Sequence, residues 1–406
     1  MSSFKDIAEW IVAAGLAGES ETAMLDGFGR RAVAAGLPIA RAGVIIDTLH
    51  PVLEGRGFRW HRESSGEAEL VEYGPTSEGE AAANWRATPF YRLLETGESM
   101  LRRRIVPGEV PEFPQLGLFA GEGMTDYVAL INRFARQGAL GEMDCVYSYW
   151  FSDHPGGFTD DDIYGLVGLI PSLALAVKCV SLTRIAGTLA ETYLGRDAGR
   201  RVLSGRIGRG AAEKLSAVLW YSDLRGFTRI TDNTPPAQTI ALLNDYAEAV
   251  ISAVHDNGGD VLKLIGDGVL AIFPCGDDAR AACDGAVAAE MALRSRVGAL
   301  NQKRRAKGVP ATEVYLGLHI GEVFYGNIGS RERLDFTVVG PAVNEASRIA
   351  AMCRSVDRGV VFSSEFAAAT PEPERSKLVS LGRYALRGVG RAEELFTLDP
   401  ALQQQA

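Results

Sequence analysis

The sequence predicts an α+β protein in which a helical segment connects two domains. Its 406 residues, 47% hydrophobic and 23% charged, are typical of a globular chain of about two or three domains. Both halves mix helical apolar spacing with β-rich runs, and a long apolar helical stretch lies between them. The expected boundaries are 1–34 for N-terminal helices, 35–165 for a first α+β domain, 166–212 for the connector and 213–400 for a second α+β domain.

The first half begins with apolar residues at helical spacing from Ile7 to about Ala35, and a polar break at residues 18–21 predicts two helices there. Thr159 or Asp160 is expected to cap a later, long helix. Between these helices we expect β-rich runs, the first two forming a hairpin: Arg41–Leu49, Gly57–His61, Asp126–Ile131 and Asp144–Phe151.

The connector reads as one helical stretch from about Ile163 to Leu203, with possible breaks at Pro171, Gly187 or Gly195. Six of its residues follow one another at alternating four- and three-residue steps: Leu175, Cys179, Leu182, Ala186, Leu189 and Tyr193. This heptad spacing favours a dimerising connector. The alternative is a helix that packs only on its own domain.

Composition excludes several classes of function. A net charge of −9 without a basic face argues against nucleic-acid binding, so the arginines at 102–104 are expected to face solvent or carboxylates. Five scattered cysteines without a C-x-x-C pair fit a reducing compartment. The N-terminus lacks a secretory pattern, and the apolar stretch Leu166–Val177 is shorter than the ~20 residues of a membrane helix. We therefore expect a cytoplasmic protein without a membrane span.

The second half predicts a β-α unit, a hairpin and further strands and helices. The order is strand Leu215–Tyr221, helix Pro235–Asn257, a hairpin around Lys263 and Leu270, helix Asp278–Lys307, strands Glu313–Ile320, Val323–Ile328 and Asp335–Val339, and a helix through Asn344 and Arg348. A turn is expected at Gly321 and Glu322, between strands Glu313–Ile320 and Val323–Ile328. This order implies a ferredoxin-like palm with loop carboxylates at the open face of its sheet.

Two aspartates stand out in this half, each in a turn beside an apolar strand. Asp223 follows the strand at 215–221, and Asp267 lies in the hairpin turn. Carboxylates at the ends of buried strands are costly unless their charge is compensated, and two that converge indicate a divalent cation. Together they indicate phosphoryl chemistry on a nucleotide.

Four motifs closely resemble the class III nucleotidyl cyclase catalytic domain, and the resemblance covers about residues 213–400. In chain order the motifs are Ser222-Asp-Leu-Arg-Gly-Phe-Thr228, Lys263-Leu-Ile-Gly-Asp267, Gly317-Leu-His-Ile-Gly-Glu322 and Phe336-Thr-Val-Val-Gly-Pro-Ala-Val-Asn-Glu-Ala-Ser-Arg348. Their order and spacing carry the resemblance, since any one alone would be weak.

The resemblance implies attack of a ribose 3′-hydroxyl on the α-phosphate of a nucleoside triphosphate. Asp223, Asp267 and the backbone carbonyl of Leu224 would hold two Mg²⁺ or Mn²⁺ ions per site. Asn344 and Arg348, four residues apart on one helical face, would orient the ribose and stabilise the pentavalent phosphate. Substrate contacts are expected at Phe227, Thr228 and Arg387, with Arg383 as a competitor for the triphosphate role.

Base selection in this class depends on two side chains, which the resemblance places at Lys263 and Thr337. Guanylate-forming relatives usually have an acid in place of the lysine, because guanine offers donors at N1 and N2. ATP is therefore the expected substrate. The threonine also occurs in a subgroup that includes bicarbonate-responsive enzymes. The alternatives are a guanylate cyclase and a catalytically inactive nucleotide-binding protein of the same fold.

The family's sites are shared between protomers, with the metal carboxylates on one and the base-selecting and Asn/Arg residues on the other. Because this chain carries both sets, the resemblance implies a head-to-tail homodimer with two equivalent sites. Residues 35–185 resemble a GAF-type sensor domain by order of elements, which identifies no ligand. An unknown small molecule or other signal would then regulate the cyclase through the connector.

Overall fold

The structure is a computed structural model that describes residues 4–106, 108–134, 140–141, 143–387, 390 and 392–399. The chain divides into two compact units, residues 1–189 and 190–406. Both units combine helices with a β-sheet, which confirms the α+β class.

The N-terminal unit begins with the two predicted helices and ends in a long one. Its elements are α1 (Phe4–Ala17), α2 (Glu21–Ala34), β1 (Arg41–Asp47), β2 (Gly55–His61), β3 (Glu69–Tyr73), α3 (Gly79–Arg86), α4 (Pro89–Thr96), β4 (Met100–Arg104), α5 (Pro114–Gly121), β5 (Asp126–Arg133), β6 (Cys145–Ser152) and α6 (Asp160–Leu194). The predicted hairpin is confirmed, since β1 and β2 pair antiparallel with Arg41 opposite His61.

The six strands form one antiparallel sheet in the order β3-β2-β1-β6-β5-β4. Both faces of its centre are buried, as alternation along β5 shows. Val128 and Leu130 face a core that includes residues of α1, α2 and α6. Tyr127 and Ile131 face a second core that includes residues of α4 and α5. Successive side chains of β5 point to opposite faces of the sheet, so this strand contributes to both apolar cores.

Helix α6 begins with a reciprocal cap and continues without a break through Pro171 and Gly187. The amide of Asp162 donates to the Thr159 hydroxyl at 3.1 Å, and the Asp162 carboxylate accepts from the Thr159 amide at 2.8 Å. This confirms Thr159 as the cap. The helix ends before Gly195, whose φ of +89° favours glycine.

The heptad residues of α6 are largely exposed within the single chain. Leu175 is 61% and Tyr193 81% exposed, and Cys179 and Ala186 also face solvent. Leu182 and Leu189 are partly buried against the core of the N-terminal unit. The spacing read from the sequence therefore marks an apolar row, most of which has no covering element among the described residues.

By length and composition alone, α6 could also cross a membrane, because an 18-residue window within it has a mean hydropathy of 1.9. Within the structure 44% of that window is buried. Leu166, Leu169, Ile170 and Leu173 belong to the core of the N-terminal unit. Packing against this core thus accounts for the buried part of the helix.

The arginines at 102–104 face carboxylates, one of the two expected roles. Arg102 and Arg104 both pair with Asp126, whose side chain is fully buried, at 2.7 and 3.2 Å. Asp126 also accepts hydrogen bonds from the amides of Tyr127 and Phe158 at 3.0 Å each. This carboxylate therefore ties β4 and β5 to the segment that leads into α6.

We predict that Asp126→Ala lowers the unfolding free energy of the N-terminal unit by about 2–4 kcal/mol, since it leaves the buried Phe158 amide and two arginines without their acceptor. Urea denaturation followed by tryptophan fluorescence measures this, because Trp10, Trp60, Trp85 and Trp150 lie in that unit. The matched control is Asp160→Ala, which removes a fully exposed carboxylate 3.6 Å from Arg102 and should change little. Equal effects of the two variants would contradict the assignment.

The C-terminal unit contains the remaining elements. They are α7 (Arg196–Leu203), β7 (Ala212–Leu224), α8 (Phe227–Asp232), α9 (Pro236–Asp256), β8 (Asp260–Ile265), β9 (Gly268–Pro274), α10 (Ala279–Ala306), β10 (Val314–Gly329), β11 (Leu334–Val339), α11 (Pro341–Val356), β12 (Val360–Ser363), α12 (Ser364–Ala369), a 3₁₀ turn (Glu374–Lys377), β13 (Leu378–Ala385) and β14 (Ala392–Leu398). The helices expected from Pro235 and Asp278 and the hairpin around Asp267 are confirmed.

The sheet runs β13-β14-β12-β10-β7-β9-β8, with β11 paired to β10. Its central strand β7 is buried on both faces. Val218 and Trp220 lie in a core that includes residues of α9 and α10. Ala217 and Leu219 lie in a second core that includes residues of α7 and α11. The end of β7 that carries Asp223 is therefore held from both sides.

The turn expected at Gly321 and Glu322 is wrong, because β10 is one continuous strand of 16 residues. Its pairing with β7 runs without interruption from Val314 opposite Leu224 to Gly326 opposite Ala212. The glycine has a packing role instead, since a Cβ at Gly321 would lie 2.7 Å from the Ala342 Cβ on α11. Close approach of a helix, and not a turn, requires glycine at this position.

Candidate active site

The two aspartates singled out in the sequence meet at one end of the central sheet. Asp223 is the penultimate residue of β7. Asp267 lies in the turn between β8 and β9, where Gly266 has a φ of +62°. Because β9 pairs directly with β7, the tip of this hairpin lies beside the end of β7. The fold therefore brings together two carboxylates that are 44 positions apart in the sequence.

One backbone amide donates a hydrogen bond to both carboxylates. The N–H of Leu224 donates to Asp223 Oδ1 at 3.0 Å and to Asp267 Oδ2 at 3.2 Å. Two anionic oxygens that share one donor must lie close to each other, and a single amide cannot compensate two negative charges. The site therefore has an excess of negative charge that a cation would balance.

The pKa of Asp223 reflects this excess of negative charge. Burial, a hydrogen bond to Asp267 and repulsion from its charge raise the pKa of Asp223 to about 6. The Leu224 amide and the more distant Arg354 act in the opposite direction without cancelling the rise. Burial and the second carboxylate both oppose ionisation of this carboxyl. A bound divalent cation would offset the burial cost and the repulsion between the two carboxylates.

A cavity of about 190 Å³ opens beside this pair. Asp223, Leu224 and Asp267 line it together with Asn244 and Tyr246 of α9. Among the described residues, no group of three or more His, Cys, Asp or Glu side chains could hold a metal ion. The donors here are thus two hard carboxylates and nearby backbone oxygen, which fit Mg²⁺ or Mn²⁺ when substrate or water completes the coordination.

The predicted base-selecting residues lie on β8 and β11, two strands of the same sheet that do not pair with each other. Lys263 of β8 forms an ion pair with Asp335 of β11. Thr337, two residues further along β11, is 6% exposed, and its hydroxyl has no hydrogen-bond partner within the described structure. Residues two apart on a strand share a face. A buried hydroxyl without a partner on that face is an unfilled hydrogen-bonding position.

Asp335 was not expected at the site. The sequence motif begins at Phe336, and nothing in the spacing along the chain showed that Lys263 would pair with Asp335. The alternation of β11 was the available signal, since it places Asp335 and Thr337 on one face.

Asn344 and Arg348 lie on α11, four residues apart as predicted. Asn344 is exposed and Arg348 is partly buried. Neither residue lines the cavity that contains Asp223 and Asp267, and neither do Lys263 and Thr337. Within one chain, the structure therefore brings the metal carboxylates together but does not join them in this cavity to the other predicted site residues.

A larger open cavity of about 750 Å³ lies next to the end of β7 and contains the predicted residue Thr228. Four arginines line it: Arg225, Arg229, Arg305 and Arg354. Arg305 and Arg354 come from the last turns of α10 and α11. They are distant in sequence from Thr228, and folding brings them to the same cavity. Phe227 packs against the core of the C-terminal unit, and so anchors the start of α8.

The predicted triphosphate contact Arg387 is described and exposed, but the next residues of its motif, 388 and 389, lie outside the described residues. Its competitor Arg383 is exposed on β13. The structure does not place either side chain at the carboxylate pair, whose cavity they do not line.

Comparison with known proteins supports the resemblance. Residues 211–399 match the family described as the adenylate and guanylate cyclase catalytic domain. An uncharacterised protein of Mycobacterium tuberculosis (strain ATCC 25618 / H37Rv) is 35% identical over 201 residues, which are 48% of this chain and 35% of that protein. Adenylate cyclase 1 of Rhizobium meliloti (strain 1021) is 29% identical over 174 residues, which are 42% of this chain and 26% of the relative.

Among solved structures, the adenylyl cyclase CyaB from P. aeruginosa is 25% identical, with a TM-score of 0.43, and the match covers 47% of this chain and 96% of that one. This chain spans about a third of the length of the curated relatives it matches. The C-terminal unit carries an adenylate/guanylate cyclase catalytic domain over residues 211–399.

We predict that Asp223→Asn raises the melting temperature of the C-terminal unit in EDTA, because it removes one of two repelling, half-buried charges. In Mn²⁺ the same variant should lose the stabilisation that the metal gives to the unmodified chain. Differential scanning calorimetry with and without metal measures both effects.

The control for this prediction is Asp256→Asn at the end of α9, which neutralises a largely exposed carboxylate paired with Arg296. This variant should keep the metal-induced stabilisation. If Asp223→Asn were as strongly stabilised by Mn²⁺ as the unmodified chain, the carboxylate pair would not be the metal site.

Proposed function

We propose that this protein is an adenylate cyclase that converts ATP to 3′,5′-cyclic AMP and pyrophosphate. The observation that carries the proposal is the convergence of Asp223 and Asp267 on one amide within a cyclase catalytic domain. Two relatives named as adenylate cyclases, from Rhizobium meliloti and Anabaena cylindrica, are consistent with it. Because the matches cover only part of these relatives, ATP as the substrate of this chain is a proposal.

In the proposed mechanism, Asp223, Asp267 and the carbonyl of Leu224 would hold two Mg²⁺ or Mn²⁺ ions. When bound, such ions activate the ribose hydroxyl and neutralise charge on the triphosphate. The chain's own contribution is a site that is already short of positive charge, as the raised pKa of Asp223 reflects. The Leu224 amide keeps both carboxylates oriented toward one point.

Base recognition is proposed for Lys263 and Thr337, with Asp335 as a positioning residue. Adenine offers an acceptor at N1 and a donor at N6, which match an ammonium and a hydroxyl oxygen. The hydroxyl of Thr337 is buried and unpartnered, so it has a hydrogen bond to gain from the base. Asp335 holds the Lys263 ammonium beside Thr337 before substrate binds.

The phosphate end of the substrate is assigned to other residues. Asn344 and Arg348 would orient the ribose and stabilise charge on the reacting phosphate. Phe227 and Thr228 begin α8 shortly after Asp223, and the cavity at Thr228 is lined by arginines, which suit a polyanion. Arg387, with Arg383 as the alternative, would complete the contacts to the triphosphate.

We further propose a homodimer with two shared active sites. Two observations support it. Lys263, Thr337, Asn344 and Arg348 do not line the cavity of the carboxylate pair within one chain. The apolar row on α6 and the exposed residues Leu264, Phe324 and Val339 of the catalytic sheet are surfaces that a second copy would cover.

The remaining assignments belong to the same proposal. The catalytic fold would be a ferredoxin-like palm, and the N-terminal unit a GAF-like sensor of a small molecule or another signal. We place the protein in the cytoplasm, in line with five free cysteines, four of them buried. Guanylate cyclase activity is the second candidate, because Thr337 would tolerate guanine, but Lys263 favours adenine.

We predict that Lys263→Ala lowers kcat/KM for ATP by about ten- to a hundredfold, the cost of one charge-assisted hydrogen bond. The loss for GTP should be smaller, so that discrimination between the nucleotides narrows. Steady-state assays with both nucleotides measure this. Lys214→Ala, on an exposed lysine of β7 paired with Glu322, is the matched control and should leave both rates unchanged. An unaltered ATP-to-GTP ratio in Lys263→Ala would refute the base assignment.

A complementation experiment tests the shared site and, with it, the proposed enzyme. Asp223→Ala and Arg348→Ala should each be inactive, but co-expressed they should recover about a quarter of the unmodified activity. Half of randomly formed dimers are mixed, and each mixed dimer contains one intact site and one doubly defective site. If the two variants stayed inactive together while both dimerised, each chain would have to build its site alone.

A further inference from the structure

The N-terminal unit contains a cavity of about 500 Å³ that has no role in the proposed cyclase chemistry. It lies on the sheet face that α4 and α5 cover, and residues of β1, β2, β5 and β6 contribute to its floor. Pockets for small organic ligands are typically about 300–1,000 Å³. The cavity therefore has the size of a ligand site.

Aromatic rings dominate the wall. The rings of Phe119 of α5 and of Tyr127 and Tyr149 of the sheet each pack against Phe151, at centroid distances of 4.3, 4.8 and 5.7 Å. Burial raises the pKa of Tyr127 and of Tyr149, so both phenols stay protonated at neutral pH. Such a wall favours a planar, unsaturated ligand body.

Gln115 gives the cavity an unfilled polar position. Its side-chain oxygen is buried and has no hydrogen-bond partner within the described structure. A buried acceptor without a donor costs about 1–3 kcal/mol. A ligand N–H or O–H at this point would recover that cost, which makes Gln115 a specific contact and not only part of the wall.

Positive charge lies at the β1–β2 side of the cavity. Arg41 is already paired with Glu122. Arg59 and Glu69 both line the cavity, at paired positions of β2 and β3, and Arg59 forms no ion pair with a described residue. Burial first, and then the charges of Arg41 and Arg59, lower the pKa of His61. The Arg59 guanidinium, with the Glu69 carboxylate in the same wall, is thus the group at this cavity with which an anion would pair.

We propose that this cavity binds a small planar aromatic acid. Its ring system packs among Phe119, Tyr127 and Phe151, its anionic group pairs with Arg59, and a donor on the ligand fills the hydrogen bond at Gln115. The site would give the N-terminal unit a ligand specificity that does not depend on the cyclase assignment.

The probe for this site is 8-anilinonaphthalene-1-sulfonate, an aromatic anion with an N–H donor, titrated against the full chain by fluorescence. Its neutral counterpart is N-phenyl-1-naphthylamine. We expect saturable binding of one sulfonate probe per chain. Leu116→Trp, which fills the cavity from α5, should weaken it at least tenfold. The same change at Leu118, which is 72% exposed on that helix, should not.

Arg59→Gln tests the charge without altering the core, because Arg59 is exposed. It should weaken the sulfonate about tenfold and leave the neutral probe unchanged, whereas Arg86→Gln on α3 should affect neither. The proposal is overturned if Leu116→Trp, shown folded by circular dichroism, binds the sulfonate as tightly as the unmodified chain. It is equally overturned if Arg59→Gln weakens both probes alike or neither.

Discussion

The convergence of two carboxylates at the end of β7 is the constraint on which the catalytic unit depends. Asp223 and Asp267 accept hydrogen bonds from the same amide. Burial and their mutual repulsion raise the free energy of the ionised pair. A fold tolerates such a cost only if the surrounding structure is rigid enough to hold it. The sheet provides that rigidity, because β7 is paired on both sides and packed between two apolar layers.

The same sheet accounts for the position of the other polar groups. Strand β11 pairs with residues 324–329 of the long strand β10, and the ion pair between Lys263 and Asp335 links β11 to β8. The unpartnered hydroxyl of Thr337 lies next to this pair on the same face of β11. The proposed metal-binding and base-binding groups thus occupy separate places on one sheet, and the proposed dimer would bring the two sets together.

Much of this could be predicted from sequence, because the informative signals were local. Helical spacing located α1 and α2, the Thr159 cap located the start of α6, and the motifs located Asp223 and Asp267. The errors came from long-range packing. Gly321 suggested a turn although it makes room for Ala342, and Arg305 and Arg354 reach their cavity only because two helices end beside it. Spacing along a chain does not encode which helix approaches a strand.

The N-terminal unit shows a similar division. Alternation along β5 indicates a strand, but not that both of its faces are buried or that one face borders a cavity. The heptad spacing of α6 was visible, whereas the exposure of Leu175 and Tyr193 was not. Sequence therefore located α1, α2, the hairpin of β1 and β2, and strands β5 and β6, but it did not predict β3, β4 or helices α3–α5. Only packing showed which surfaces are left for a ligand or for a second chain.

The most direct measurement is product formation by the purified full-length chain with ATP and, separately, GTP, in Mg²⁺ or Mn²⁺, resolved by chromatography. The account predicts cyclic AMP and pyrophosphate from ATP, with little cyclic product from GTP. Cyclic GMP as the main product would contradict the roles of Lys263 and Thr337. No cyclic product from either nucleotide in either metal, by protein that binds ATP, would contradict the proposed catalysis itself.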